Sequence, residues 1–376
     1  LKRCKGHLEI LDEGDGFLRS LENNFSPDTR DTYVPEALIK SDNLPEGGYV
    51  EGYGKKQDSG SSNAQLCSVE TINQIPLSAF SGFQSLQDQT SISPTEQLTM
   101  TRAMDDFTGR TLDMITPIGK GQRGLIIAPP KSGKTTILKH VAASIIDNHP
   151  DVDVFVLLVD ERPEEVTDFK RGLKGAHVIF SSADQSIAMH MRMTRLALHT
   201  AILCAETGRD SVVLIDSLTR MSRAFNVETP SHGRTLTGGL GAGALAIPRK
   251  IFGAARNVEG GGSLTIMATI LVDTGSRMDD IIYQEFKGTG NSDIVLSRKC
   301  AEKRIWPAVN INASGTRREE LLLDGETYQE VTRIRGLLSP LDETTAMSTL
   351  LEYFQRGISP TDFPILSRSL FPGHGK

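Results

Sequence analysis

The chain has 376 residues, of which 38% are hydrophobic and 23% charged, and its formal net charge is -6. That length is enough for two or three domains with a large core, and the composition is that of a globular protein. The acidic balance gives nucleic-acid binding no overall support, so any such function rests on local patches.

No apolar run of about 18 residues and no signal peptide is found, which points to a cytoplasmic location and no membrane partner. The chain begins at Leu1 rather than Met, as a fragment lacking its start would. Cys4, Cys67, Cys204 and Cys300 are scattered without a CxxC pair, so they read as reduced thiols rather than a disulfide frame or zinc site.

Residues 1–74 carry short strand-like runs (HLEIL, GFLRS, DTYV, GGYVEGY, LCSVETI) broken by Gly, Pro, Asn and Asp. Short strands with regular turn signals suggest a small β-barrel, and an OB-type five-stranded barrel fits the size. Phe17, Arg19, Tyr33 and Lys40 offer an aromatic and basic face for single-stranded bases. The same residues also suit a barrel with ordinary core aromatics, and a count of 8 basic against 13 acidic residues favours that alternative. KQDSGSSN, residues 56–63, reads as a flexible loop, and the polar stretch 75–100 as a linker. No internal repeat is found.

From about residue 101 apolar strands alternate with amphipathic helices: LIIA and a helix at 134–147, VFVLLVD and EEVTDFKRGL, HVIFSS and a helix at 186–206, SVVLID and SLTRMSRAF, then SLTIMATILVD and DIVLSR. The alternation predicts an α/β domain, 101–376, with a mainly parallel sheet, whose ligands sit beyond the carboxyl ends of the strands. The segment GLIIAPPKSGKTT, Gly124 to Thr136, has the strand–loop–helix context of a phosphate-binding loop. Gly133 admits close approach of the backbone, Lys134 reaches the β- and γ-phosphates, and Thr135 offers a hydroxyl to Mg²⁺. Ala128 stands where the GxxxxGK[ST] pattern has Gly.

Three strands end in acid, at Asp160-Glu161, Asp216 and Asp273, on the same edge as that loop. Asp216 suits Mg²⁺ or a helix cap, and the two roles are compatible. Glu161 is the candidate to orient or deprotonate water. Arg162 suits either a phosphate or an acid partner. Arg304, Arg317 and Arg318 lie far along the chain, and one arginine of SGTRREE is a candidate arginine finger across a subunit contact. Trp306, the only tryptophan, suits either adenine stacking or a core. The stretches 231–244 and 273–280 are glycine-bearing, each with one arginine, Arg234 or Arg277, and fit loops that grip a phosphate backbone inside a ring.

Together the segments PIGKGQRGLIIAPPKSGKT, VLLVDERPEEVTDFKR, DSLTRMSRAFN, LTGGLGAGAL, IFGAARNVEGGGSLTIMAT, EFKGTGN, LSRKCAEKRIWPAV and SGTRREELLL resemble the Rho family of bacterial transcription termination factors, over nearly the whole chain. The resemblance implies a RecA-like P-loop ATPase core with an N-terminal OB-type, cold-shock-like β-barrel. It implies a homohexameric ring that uses ATP and Mg²⁺ to move 5′ to 3′ on single-stranded RNA, acts as an RNA–DNA helicase, and releases RNA from the RNA polymerase elongation complex. In that family Ala or Gly opens the phosphate loop, so Ala128 conforms.

Carried over, Lys131, Ser132, Gly133, Lys134, Thr135 and Thr136 would hold the nucleotide, with Arg162 and Trp306 beside it. Thr135 and Asp216 would serve Mg²⁺, Glu161 would activate water, Arg317 would be the finger in trans and Arg304 a second trans cation. Phe17, Arg19, Asp31 and Tyr33 would bind RNA at the barrel, and Arg234, Thr235, Thr237, Gly238 and Arg277 in the central channel. GDGFLRS departs from the family's GFGFLRS, so Asp15 replaces a base-stacking aromatic, and the family's amino-terminal helical subdomain is largely absent. A rotary ATP synthase-type subunit, which also carries a small barrel before its core, is the nearest rival. A non-motor RNA-binding protein is another; RNA-stimulated hydrolysis distinguishes both.

Overall fold

The computed structural model describes residues 1–56, 63–80, 83–228, 235–236, 239–241 and 243–357. The core of the loop expected at 56–63 lies outside the described residues, as do Arg234, Thr237 and Gly238; Thr235 is described in its backbone alone.

The first unit is a closed barrel of β1 (Lys2–Ile10), β2 (Gly16–Arg19), β3 (Thr32–Val34), β4 (Tyr49–Lys56) and β5 (Ala64–Ile72). The order β3-β2-β1-β4-β5 is closed by pairing of Tyr33 with Gln65. Five strands in this order form the OB-type barrel that the strand lengths suggested. Leu8, Leu18, Val34, Val50, Leu66 and Ile72 fill it, and β1 buries Leu8 and Glu9 while its first residues stay exposed.

The second unit is built on β6 (Arg123–Ala128), β7 (Asp153–Glu161), β8 (His177–Ser182), β9 (Asp210–Asp216), β10 (Ser263–Leu271), β11 (Ser292–Val295) and β12 (Gly315–Thr316). They lie in the order β8-β7-β9-β10-β6-β11-β12, and every pair but the last is parallel. The central strands read as unbroken apolar runs because both faces are covered. On one face Ile126, Val156, Val212 and Leu214 meet α1 (Lys134–Asn148), α2 (Pro163–Gly172) and the carboxyl-terminal helices. On the other, Leu125, Leu157, Val213 and Ile266 meet α3 (Ile187–Glu206), α4 (Leu218–Glu228) and α5 (Arg277–Phe286). Among the described residues no helix is long and apolar enough to cross a membrane.

The two units are fastened together. Phe25 is fully buried, in the same cluster as Phe155, Ile179, Met193 and Leu196 of the second unit. Asn24 pairs with edge strand β8 through both ends of its amide: Nδ2 donates to Phe180 O and Phe180 N donates to Oδ1, each at 2.9 Å. Glu46 accepts from His199 Nδ1 at 2.9 Å. The stretch expected as a linker is laid along the second unit. Leu86 is buried there, Ser91–Ile92 pairs with the strand Arg256–Val258, and Gln97–Leu98 pairs with Ile118–Gly119.

His7 lies in this seam, its ring 5.7 Å from that of Phe25 and 5.1 Å from that of Tyr49. Burial pulls its imidazole down to about 4, against the raising effect of its bond to Gly47 O. Between pH 6.5 and about 4 the unfolded chain therefore binds a proton that the folded chain refuses, and stability falls as pH is lowered through that window. The urea midpoint is expected to drop on acidification, and His7→Phe to remove about 1–3 kcal/mol of that drop. Comparing the two pH profiles by urea titration isolates His7, and parallel profiles count against the assignment.

Candidate nucleotide site and nucleic-acid face

β6 ends at Ala128, in register with Leu271 of β10. Ala128 is fully buried in extended backbone, so Gly is not needed there. The turn that follows demands unusual backbone: Lys131 has φ +63° and Gly133 φ +88°. Ser132 Oγ donates to Pro129 O at 2.7 Å and clamps the loop. Gly133 brings no side chain to the cap of α1, which leaves the first-turn N–H groups to an anion. A Cβ at Gly133 would stand 2.7 Å from Trp306 Cζ3, so the indole lies directly over the loop. Lys131 and Thr136 are exposed, and Thr135 is half-buried.

The ends of β7 and β9 bring carboxylates to the same place. Asp216 is fully buried; its Oδ1 pairs with Lys134 Nζ and accepts from Thr269 Oγ1 at 2.9 Å. Asp216 Oδ2 and Glu161 Oε2 are buried without a hydrogen-bond partner. Burial, then the charge of Asp216, push Glu161 up to about 7, against the nearby cations Lys134 and Arg220. A buried carboxyl raised toward neutrality has the properties of a general base.

Mg²⁺ takes hard oxygen ligands and is commonly held by one or two carboxylates together with substrate phosphates. The orphaned oxygen of Asp216 and the hydroxyl of Thr135 fit that pattern. Among the described residues no cluster of three or more His, Cys, Asp or Glu is arranged to hold a metal by itself.

The arginines divide. Arg162 is exposed at the start of α2, with no ion pair among the described residues. Arg304 lies two residues before Trp306 and lines with it a cavity of about 620 Å³ whose other walls include Ser348, Leu351 and Glu352 of the last helix. Arg317 lies at the opposite end of the sheet. Its N–H donates to Asn291 O at 2.8 Å, and Asn291 Oδ1 accepts from Arg123 N, at the start of β6. The length of β6 separates that position from the phosphate loop by about 15 Å. Arg317 is exposed and does not join Lys134, Glu161 and Asp216 of its own chain.

The helix expected at SLTRMSRAF is present as α4, but sequence reasoning gave its polar residues no role. Arg220 Nη1 donates to Asp160 O at 2.6 Å, and its Nη2 lies 3.6 Å from Glu161 Oε1. Arg223 makes a two-pronged pair with the fully buried Asp279, at 2.9 and 2.5 Å, and Thr274 donates to the same carboxylate at 2.6 Å. Asn226 donates to Gly239 O at 3.1 Å and accepts from Gly241 N at 2.7 Å. The spacing i, i+3, i+6 puts all three on one helical face. One helix thus touches the carboxylate strand, the base of the 273–280 loop and the base of the 235–241 hairpin. Arg277, the first residue of α5, is exposed beside these contacts. The available signal was three polar residues at helical spacing directly after Asp216.

On the barrel, Phe17 and Tyr33 pair edge to face at 5.6 Å, and the Arg19 guanidinium lies 4.7 Å over the Phe17 ring. Arg19 Nη1 donates to Asp31 Oδ2 at 2.6 Å. Phe17, Arg19, Asp31 and Tyr33 are thus joined by contact, with Arg19 and Asp31 buried, whereas Lys40 pairs with Glu36 away from them. Desolvation and then Asp15 hold the Tyr33 phenol above its usual range, with Glu13 and Glu36 adding to it. Asp15 thus makes the edge of this face acidic where the resemblance would have put a ring.

Comparison with known proteins bears on both units. Residues 109–316 match the ATP synthase alpha/beta family, nucleotide-binding domain, and residues 4–77 match the Rho termination factor, RNA-binding domain. Among solved structures, a type III secretion system ATPase superposes with a TM-score of 0.59 at 21% identity, covering 75% of this chain and 86% of that one. The ATP synthase subunit NeqB from Nanoarcheaum equitans gives 0.58 at 16% identity, covering 76% and 78%. The class is thus a RecA-like nucleotide-binding core of the kind found in those ATPase subunits, preceded by an OB-type barrel of an RNA-binding family. Transcription termination factor Rho of Chromobacterium violaceum is 47% identical over 92% of this chain and 83% of its own length, and that of Aquifex aeolicus 46% over 94% and 81%. The chain belongs to the family of transcription termination factor Rho.

Trp306, 43% exposed over the phosphate loop, is the chain's single tryptophan, so its fluorescence reports on this place alone. ATP binding is expected to change Trp306 emission. Trp306→Ala is expected to weaken ATP binding about five- to tenfold, measured by calorimetry, through loss of a stacking surface. Unchanged emission at saturating ATP would place the adenine elsewhere.

Proposed function

We propose that this chain is an RNA-dependent ATPase and RNA–DNA helicase that terminates transcription. It acts as a homohexameric ring in the cytoplasm, moving 5′ to 3′ along nascent single-stranded RNA and releasing it from the RNA polymerase elongation complex. Membership of the Rho family supports the reading, as does the pairing of an RNA-binding barrel with a nucleotide-binding core. The observation that carries the ring is the position of Arg317. A chain that holds Lys134, Glu161 and Asp216 at one end of its sheet and Arg317 at the other supplies one half of a site on each side.

In this reading the amide groups at the start of α1 and the Lys134 ammonium hold the phosphates, while Ser132 and Gly133 keep the loop in shape. Lys134 exchanges its carboxylate partner for phosphate oxygen, which frees Asp216 Oδ1. Asp216 and Thr135 would hold Mg²⁺, which would supply positive charge to the transferring phosphoryl group. Glu161 orients the attacking water and accepts its proton. Arg317 of the neighbouring copy meets the charge that develops on the γ-phosphate, with Arg304 a second cation acting in trans. Arg220 ties Glu161 to α4, whose Arg223 and Asn226 hold the bases of the two channel loops, so nucleotide state and loop position move together.

The ATPase rate with and without poly(C) RNA tests the activity, because a rotary-type subunit would ignore the RNA. Lys134→Ala is expected to abolish hydrolysis, and Glu161→Gln to keep ATP binding while lowering turnover about 10²- to 10⁴-fold. Full turnover by either variant would overturn the assignment. Mixing wild-type chains with Arg317→Ala chains is expected to lower RNA-stimulated activity more steeply than the mutant fraction. A strictly proportional fall would mean that the arginine serves its own subunit.

A further inference from the structure

We infer that Arg192, on helix α3 of the nucleotide-binding core, is a positioning residue for the RNA face of the barrel, so that RNA binding at the barrel and seating of the barrel on the core are one linked equilibrium. The inference rests on the reading of the barrel as an RNA-binding domain and adds to it a residue from outside the barrel.

The geometry is a chain of shared charges. Arg19 sits at the centre of the face, with only 8% of its side chain exposed. Two carboxylates fix its direction: Nε donates to Glu9 Oε2 and Nη1 to Asp31 Oδ2, each at 2.6 Å. That direction lays the guanidinium over Phe17. Glu9 is not the barrel's alone. Arg192 Nε pairs with Glu9 Oε1, and Arg192 Nη2 donates at 2.7 Å both to Glu9 Oε2 and to Phe25 O. The buried Glu9 carboxylate is therefore divided between Arg19 of the barrel and Arg192, 183 residues beyond Glu9 along the chain.

The charges balance, with Glu9 and Asp31 against Arg19 and Arg192, and the acids are buried. Burial alone would raise the Glu9 carboxyl; the bonds from Arg192 and Arg19 outweigh it and hold Glu9 below its ordinary range. Without Arg192, Glu9 Oε1 loses its pairing and Arg19 becomes the sole cation for two carboxylates. The guanidinium is then drawn toward Glu9, away from the place where Asp31 and Phe17 hold it. In the other direction, a base that engages Arg19 or Asp31 shifts Glu9 and loads the bond to α3. That helix packs on β7, the strand that ends in Glu161. By linkage, if seating of the barrel favours RNA binding by some factor, RNA binding favours seating by the same factor.

The test uses the full chain and a fluorescein-labelled ten-nucleotide oligocytidylate RNA, read by anisotropy without nucleotide. Phe17→Ala locates the probe on the barrel, with an expected loss of about tenfold in affinity. Arg192→Met is expected to weaken RNA binding about five- to twentyfold with a thermal midpoint within a few degrees of wild type, and Arg192→Lys to recover most of the loss. An Arg192→Met chain that binds RNA like wild type, while Phe17→Ala does not, overturns the inference and leaves the barrel reading standing. Indifference of both variants overturns the barrel reading and the inference with it. If Arg192→Met fails to fold, Glu9→Gln/Arg192→Met removes both charges together: weakened RNA binding supports the inference, and wild-type affinity overturns it.

Discussion

The carboxylate of Asp216 is the constraint on which the rest of the site depends. It stands at the end of a central strand with no exposure to solvent, a second buried carboxylate beside it on the neighbouring strand. Two carboxyls buried side by side are tolerated where cations converge on them. Lys134 comes from the phosphate loop, Arg220 from α4, and the Thr269 hydroxyl from the next strand. Each of these elements is held where it is by the parallel sheet, whose carboxyl edge gathers residues more than a hundred positions apart. The orphaned oxygens of Asp216 and Glu161 suit an incoming cation and a water, the groups that phosphoryl transfer requires.

From that cleft the charge network runs outward along α4. Arg220 reaches the acids, Arg223 locks Asp279 at the root of one glycine-bearing loop, and Asn226 bonds the backbone at the root of the other hairpin. The barrel is fastened by a different chemistry: a fully buried Phe25, an amide that mimics a strand partner at Asn24, and the carboxylate of Glu9 shared between two arginines. These contacts fasten the barrel to the sheet.

Much of this was legible locally. VFVLLVD and SVVLID read as buried parallel strands because both faces of such strands are covered, and the residues after them fall on the ligand edge by topology alone. Gly133 and Lys134 were legible because the chemistry of a phosphate loop is contained in a few consecutive residues. The polar stretch 75–100 was misleading in character. Its burial of Leu86, Leu98 and Met100 depends on surfaces supplied by distant segments, and isolated apolar residues among Ser and Gln give no periodic signal. Arg220, Arg223 and Arg192 drew no assignment from the sequence for the same reason.

By itself the sequence determined the two-unit architecture, the strand–loop–helix that receives phosphate, the acids at the strand ends and the family to which the chain is similar, since each is written in contiguous residues or in a period. Only the tertiary structure decided that Arg317 stands a strand's length from its own phosphate loop, that Trp306 lies over Gly133, and that Glu9 is divided between Arg19 and Arg192. Those facts come from pairings between segments far apart in the chain. Spacing along a chain carries no record of such pairings until the sheet and the barrel close.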